Sequence, residues 1–306
     1  MPGSGFFSWL LPVIALLAAP LLPGIINCTK ARVGGRQGPP LLQPYRDLFK
    51  LLNRGAVYSS SSTWVLRLSP VVNLAALIMA LLLLPMGGVA AVVAFDGDII
   101  VIAGLLSLGV FLTLLAALDT GSSFEGMGAS REAQLGAMAE ASLFLALAAL
   151  VRLTGSTSLS SAYARIDSNL WHQALPMLTM IAVALLILNL VENSRMPVDD
   201  PATHLELTMI HEVMVLDHSG PDLGFILYSA ALKLWLLSAL VVGIIMPVRS
   251  GSVWLDAVLG WLSMGLLAIV IGLIGSFMAR LHLRQTLPLI VGAGALSAVA
   301  LMLTVR

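Results

Sequence analysis

Charge is scarce in this sequence. Asp, Glu, Lys and Arg make up 10% of its 306 residues, where a soluble domain carries roughly 25%. Too few polar groups exist to cover a water-facing surface. The formal net charge is zero, which argues against a large nucleic-acid-binding surface. Cysteine is scarcer still: Cys28 is the only one. An internal disulfide is excluded, and so is a cluster of thiolates for iron–sulfur or structural zinc. Any redox centre serving this chain is expected in a partner, with no cofactor in the chain itself.

Apolar sequence fills the space that charge leaves. Hydrophobic residues are 58% of the chain, the mean hydropathy is +0.97, and runs near the ~20 residues needed to cross hydrocarbon recur from end to end. They fall near Phe6–Ile26, Trp64–Met86, Ile99–Leu118, Leu135–Val151, Ala174–Val191, Leu223–Pro247, Val253–Met278 and Leu287–Leu303. The expected fold is an all-α polytopic membrane protein of about eight spans in a single domain, residues 1–306. Helices follow because an open sheet edge cannot be satisfied in lipid, and no barrel-like alternation is visible. The first run lacks a preceding basic residue and a cleavage motif, and reads as a retained span rather than a signal peptide.

Basic residues orient the chain. Lys30, Arg32, Arg36, Arg46, Lys50 and Arg54 crowd the loop after the first span, and Arg131, Arg195, Arg280 and Arg284 share its side. The other side holds Arg152, Arg165, Arg249 and Arg306. The positive-inside rule places the first loop in the cytoplasm and both termini outside. Trp9, Trp64, Trp171 and Trp254 sit at span ends, as interfacial aromatics do. Two cytoplasmic loops are longer than connection requires. Within residues 28–63, Leu41–Asn53 reads as an interfacial amphipathic helix with Leu42, Tyr45, Phe49 and Leu52 on its apolar stripe. The loop at residues 192–223 carries Glu192, Asp199, Asp200, Glu206, Glu212, Asp217 and Asp222 against the single Arg195. Such acidity on the positive side calls for more than topology to explain it.

Ionisable groups inside spans cost ~2.5–3.5 kcal/mol or more and mark functional candidates. Asp119, Glu140, Glu192 and Lys233 are those candidates. A chain of carboxylates and a lysine with burial-shifted pKa values can relay protons; a buried Glu–Lys pair can equally fix helix packing and move nothing. Asp119 and Glu192 lie near the interface, where snorkelling is cheap. His204, His211 and His218 repeat every seven residues. On a helix that spacing is ~10 Å, too far for one metal ion, so they are expected as solvated loop residues. Cys28 is expected to be an inert packing residue. The Gly34–Pro40 stretch lacks the lysine–hydroxyl ending of a phosphate loop and reads as a rigid turn. No nucleophile–base arrangement stands out.

Three segments carry a resemblance. Arg36-Gln-Gly-Pro-Pro40, then Leu42-Gln-Pro-Tyr-Arg-Asp-Leu-Phe-Lys-Leu, resembles the first cytoplasmic loop of the complex I subunit 1 family. Leu118-Asp-Thr-Gly-Ser-Ser-Phe124 with Gly128-Ala-Ser-Arg-Glu132, and the span holding Ala230-Ala-Leu-Lys233, are similar to its hydrogenase branch. That branch comprises the membrane anchors of energy-converting group 4 [NiFe] hydrogenases, of the formate hydrogenlyase and hydrogenase-4 type. The quinone-reducing branch usually has an insertion in the first loop, which here is short.

The resemblance implies a non-redox subunit of the cell inner membrane. It would dock hydrogenase large and small subunits carrying the [NiFe] centre and iron–sulfur clusters, beside antiporter-like membrane subunits. It would couple electron transfer to H⁺ or Na⁺ movement. Carried onto this sequence, the ion path would use Asp119, Glu140, Glu192, Asp199, Glu206 and Lys233. The docked arm would meet Arg36, Arg46, Asp47, Arg131 and Arg195. One departure stands out: in Pro197-Val-Asp-Asp-Pro-Ala-Thr-His-Leu-Glu206, Ala202 and His204 occupy places where relatives tend to carry acids. A quinone-site subunit of a complex I-like dehydrogenase and a free-standing transporter are the rival expectations.

Overall fold

A computed structural model describes residues 4–193, 211–246, 252–278 and 283–304. Arg195, Asp199, His204 and Glu206 lie outside the described residues. Among the described residues, twelve helices follow in order: α1 Ser4–Ala18, α2 Leu21–Val33, α3 Gln43–Leu52, α4 Trp64–Leu82, α5 Asp98–Asp119, α6 Ser123–Thr154, α7 Leu159–Arg165, α8 Ser168–Gln173, α9 Leu175–Glu192, α10 Gly220–Ile245, α11 Val253–Phe277 and α12 Leu283–Leu303. A 3-10 turn at Val213–Val215 precedes α10. Among the described residues seven helices are long and apolar enough to cross a membrane, and the bent pair α1–α2 makes eight when counted as one broken span. An even number of crossings returns the chain to the side on which it began.

The first crossing departs from the single straight span expected of Phe6–Ile26. It bends by 45° between Ala18 and Leu21. Pro20 is the cause: without an N–H it cannot donate to Leu16 O, and its ring breaks the preceding turn. Two carbonyls are thereby stranded in an apolar setting, where an unmatched polar group is costly. Tyr228 on α10 donates to Leu16 O at 2.8 Å, and Tyr45 on α3 donates to Leu17 O at 2.6 Å. The bend thus anchors the amphipathic helix and the centre of the bundle to the first crossing. Helix α3 lies within the expected Leu41–Asn53 and exposes Leu42 and Phe49, while Leu51 and Leu52 rest against Gly224 of α10.

Helix α6 also departs from expectation. Only Leu135–Val151 reads as apolar, yet the helix begins at Ser123 and runs 32 residues, about 48 Å at 1.5 Å per residue. Hydrocarbon is only ~30 Å thick, so the helix is longer than one crossing needs and its polar first turns extend past the apolar part. Hydropathy finds the apolar part alone. The glycine- and alanine-rich residues before it continue the helix and carry Glu125, Arg131 and Glu132 into the structure.

Helices α4, α5, α6, α9, α10 and α12 enclose one apolar core, in which Leu77, Leu81, Leu150, Leu178, Leu185, Leu232 and Leu240 are fully buried. Apolar side chains gain little from leaving lipid, so packing and hydrogen bonds between helices hold such a bundle together. Ser69 of α4 donates to Leu112 O of α5, and Asn189 of α9 donates to Ser238 of α10 at 3.0 Å. Gly272 lets α11 close on Thr29 and Ile26 of α2.

Tyr228→Phe removes the donor to Leu16 O and should destabilise the chain by about 1–3 kcal/mol, the cost of a stranded buried acceptor. Thermal unfolding in detergent measures it; an unchanged midpoint would show that the bend needs no such support.

Candidate functional site

The charged residues of the bundle converge where α6, α9 and α10 meet beneath the 3-10 turn. Lys233, near the middle of α10, places its Nζ 2.6 Å from Glu192 Oε2 at the C-terminal end of α9. Glu132 of α6 pairs through Oε1 with His211 Nε2 at 3.4 Å. Lys233 also lies within electrostatic range of Glu132 and Glu140. Three carboxyls, one lysine and one histidine therefore form a single network. Glu192 and Glu132 are buried and Lys233 nearly so.

Two cavities give this network its geometry. The first, of 240 Å³, is lined by Glu132, Glu192, Lys233 and His211, with Asn73 and Ser229 in its wall. Ser229 is buried and its hydroxyl has no partner, so the wall retains hydrogen-bonding capacity for water. The second, of 450 Å³, runs along the groove between α5 and α6 and is lined by Glu132, Glu140 and Ser107 among apolar residues and glycines. Ser107 is hydrogen-bonded to the Glu140 carboxyl. Glu132 borders both cavities, so its carboxyl is the hinge between the central network and the lateral groove.

Helix geometry explains that arrangement. Glu125 and Glu132 are seven residues apart and differ by about 20° around α6, whereas Glu140 is turned about 80° beyond Glu132. The first two face the centre and the acidic loop; the third faces the groove. Glu125 is wholly buried and accepts from Asp217 N at 3.0 Å, which pins the loop to the end of α6.

Of the sequence candidates, Glu140, Glu192 and Lys233 come together. Asp119 does not join them. Its carboxylate accepts from Thr63 N and Thr63 Oγ1, each at 2.7 Å, and from Leu66 N at 3.3 Å. It caps the start of α4, where a carboxylate satisfies stranded N–H groups. Arg36, Arg46 and Asp47 are exposed, and Asp47 accepts from Gln43 at 2.8 Å. Arg131 contacts Met127 Sδ.

Two histidines correct the sequence reading. His211 belongs to the network rather than to solvent, and His218 is 6% exposed. Both are placed by the 3-10 turn folding back over α6, which residue spacing does not reveal. Glu132 is a further member that hydropathy does not single out, although its spacing from Glu125 and Glu140 is visible in the sequence. Cys28 donates to Pro39 O at 3.3 Å, in keeping with a packing role.

Loop residues close the same end of the bundle. Ser219 bonds both Val57 N and Val57 O, joining the first loop to the acidic one. Arg67 stacks over the Tyr58 ring at 4.2 Å, and the hydrogen bond from Tyr58 to Asp222 raises the phenol above its usual range. Burial holds His218 below its ordinary value, against the upward pull of Asp222 and Asp217.

Lys233→Met leaves Glu192 buried without its cation and should cost about 3–5 kcal/mol, whereas adding Glu192→Gln removes both charges and should recover most of the loss. Detergent melts of the single and double variants decide this, and a double variant no better than the single would dismiss the pair. The neutral form of His218 is the one that fits the fold. Its contribution is full above about pH 6.5 and is lost as the pH falls toward the lowered native value. Amide protection factors around residues 211–222, with the intrinsic pH dependence of exchange divided out, should therefore fall between about pH 7 and pH 5, and His218→Gln should blunt that response.

Comparison with known proteins agrees with the architecture. A family model described as NADH dehydrogenase matches residues 7–305. Formate hydrogenlyase subunit 4 of Escherichia coli (strain K12) is 32% identical over 292 residues, covering 92% of each chain. Hydrogenase-4 component C of the same organism is 33% identical over 236 residues, 77% of this chain and 73% of its relative. A subunit of the NADH-quinone oxidoreductase of Verminephrobacter eiseniae (strain EF01-2) is 25% identical over 287 residues, 84% of this chain and 78% of that one. A chain in the membrane-bound sulfane sulfur reductase, an archaeal respiratory membrane complex, shares the fold with a TM-score of 0.81 at 20% identity, covering 98% of this chain and 99% of that one.

Proposed function

Because the chain belongs to the complex I subunit 1 family, we propose that it is the membrane-anchoring, ion-coupling subunit of a membrane-bound [NiFe] hydrogenase complex of the inner cell membrane. The observation that carries this reading is the buried Glu192–Lys233 pair joined through Glu132 to Glu140. A structural ion pair needs two charges. This network has three carboxyls around one lysine, and a cavity wall that can hold water.

The arm of hydrogenase large and small subunits, with its [NiFe] centre and iron–sulfur clusters, would rest on the cytoplasmic face. Arg36, Arg46, Asp47 and Arg131 lie toward it, and Arg195 is assigned there from sequence. Asp199 and Glu206 would extend the acidic path beneath the arm. Antiporter-like subunits would adjoin the lateral groove at Glu140, since a half-buried carboxyl facing lipid alone would be costly.

Lys233 is the moving part of the mechanism. Its ammonium satisfies one carboxylate at a time fully, and Glu192, Glu132 and Glu140 compete for it. A change of charge in the arm, felt at the cytoplasmic end of α9, shifts Lys233 away from Glu192 toward α6. The newly unpaired Glu192 takes a proton from the cytoplasmic side, and the displaced proton leaves Glu132 for Glu140. His211, paired with Glu132, can hold a proton near neutral pH. Sodium would instead need a cage of oxygens.

The similarity at 25% identity to an NADH-quinone oxidoreductase subunit keeps a quinone-site role as a second reading. One preparation tests both. Purified through a tag on this chain, the complex should contain nickel with iron; iron without nickel, together with quinone-dependent turnover, would favour the second reading. In the same complex, Glu140→Gln should abolish ion pumping and leave assembly intact, and unchanged pumping would remove Glu140 from the path.

A further inference from the structure

Helix α10 carries two cavities end to end on different faces. Ile226, Ser229 and Lys233 line the central cavity described above. Beyond them, Trp235, Ala239, Val242, Gly243 and Met246 line a cleft of 180 Å³ that opens at the opposite end of the bundle. No α10 residue borders both. Lys233 and Trp235 are separated by about 3 Å along the axis and about 200° around it. The cleft runs from Trp235 to Met246, about 16 Å, which is half of the ~30 Å hydrocarbon layer.

The cleft is built by close approaches on the far side. Gly243 leaves room for the Tyr163 ring, and a side chain there would collide with it. Gly87 has φ +53° and would meet the backbone of Ala257 if it carried a Cβ. Trp261 and Met264 of α11 form the remaining wall, and Asp256 stands at the rim.

One polar group at the deep end is unmatched. Trp235 is 3% exposed and its Nε1–H has no acceptor. Of the hydroxyls that line the cleft, Ser160 Oγ accepts from Ala91 N and Tyr163 donates to Leu240 O at 2.8 Å; neither bond involves the indole. Buried donors in folded chains find a partner in protein or ordered water. The cleft has room for about six waters at about 30 Å³ each, and Asp256 and the turn backbone at Gly87 and Gly88 supply polar contacts at the mouth. On the stretch of α10 where one cavity gives way to the other, Leu232, Leu234, Leu236 and Leu237 are each no more than 2% exposed.

We propose that this cleft is a water-filled outlet, and that it and the Lys233 cavity are two half-channels meeting across one layer of leucines on α10. The inference rests on the ion-coupling reading and adds to it a release route within this chain, on the side away from the redox arm. A proton shared among Glu132, Glu140 and Glu192 would leave the network beside Lys233 and enter the water column that ends at Trp235.

The lone cysteine makes the outlet testable in the assembled complex. On a Cys28→Ser background, Ala239→Cys and Val242→Cys face the cleft, Ser229→Cys faces the central cavity, and Leu240→Cys is buried on another face. Membrane vesicles of each orientation are treated with a charged, impermeant methanethiosulfonate, and modification is read by mass. The two cleft cysteines should react from the side opposite the arm, at least about tenfold faster than Leu240→Cys, and Ser229→Cys only from the arm side. Modified Ala239→Cys should then release protons severalfold more slowly while hydrogen chemistry continues. Reaction of the cleft cysteines with a lipid-soluble maleimide alone would mean a lipid-filled cleft and overturn the outlet. So would equal labelling from both sides, or full-rate proton release after modification. Labelling reads water access whether or not Glu140→Gln stops pumping, so failure of the outlet and failure of the ion-coupling reading remain distinct results.

Discussion

The buried lysine of α10 is the constraint around which the bundle is arranged. A lone ammonium buried among apolar helices is several kcal/mol too costly to persist. Lys233 persists because α9 brings Glu192 to 2.6 Å and α6 brings two further carboxyls within electrostatic range. That requirement fixes how α6, α9 and α10 must face one another, and it explains why the longest helix of the bundle carries acids into its core. Where packing alone would tolerate many rotations of an apolar helix, an ion pair of this kind tolerates few.

A second constraint acts on the backbone. Breaking the first crossing at Pro20 strands two carbonyls, and the chain answers with two tyrosine hydroxyls from separate helices. One belongs to α3, which is thereby held at the membrane surface, and one belongs to α10, five residues before Lys233. The interfacial helix, the bent crossing and the charged helix thus share one set of hydrogen bonds. Displacement of α3 by a docked partner would be felt on α10 through Tyr45, the first crossing and Tyr228, a physical link from the cytoplasmic face to the buried pair.

Polar residues elsewhere divide into two kinds. Asp98, Asp119 and Glu125 are saturated by or tied to backbone N–H groups, and they close loops and helix ends. Glu132 pairs with His211 and Glu192 with Lys233, Glu140 lies within electrostatic range of them, and all five line cavities. The distinction is one of partners rather than of residue type or depth. A carboxylate held by several fixed N–H donors has little reason to change protonation; one that shares a lysine with two others does.

Much of this architecture is legible in the residues alone. Apolar runs reveal the crossings because only residues of that character can face lipid, and the rarity of charge singles out Glu140, Glu192 and Lys233. The paired Arg-Gly-Pro and Leu-Gln-Pro elements point to the family, since such local motifs survive when the rest of an apolar sequence drifts. Asp119 looks like its fellow candidates in sequence, because depth along a span says nothing about what a carboxylate bonds. Its bonds to Thr63 at the start of α4, the recruitment of Glu132 and His211, and the cleft ending at Trp235 depend on contacts between segments far apart in the chain. Hydropathy, which is local, therefore dictates which groups cannot be left in lipid alone. Which of them meet, and which merely close a helix, is settled only by the packing of α6, α9 and α10, because partner choice depends on helix rotation, which an apolar surface leaves free.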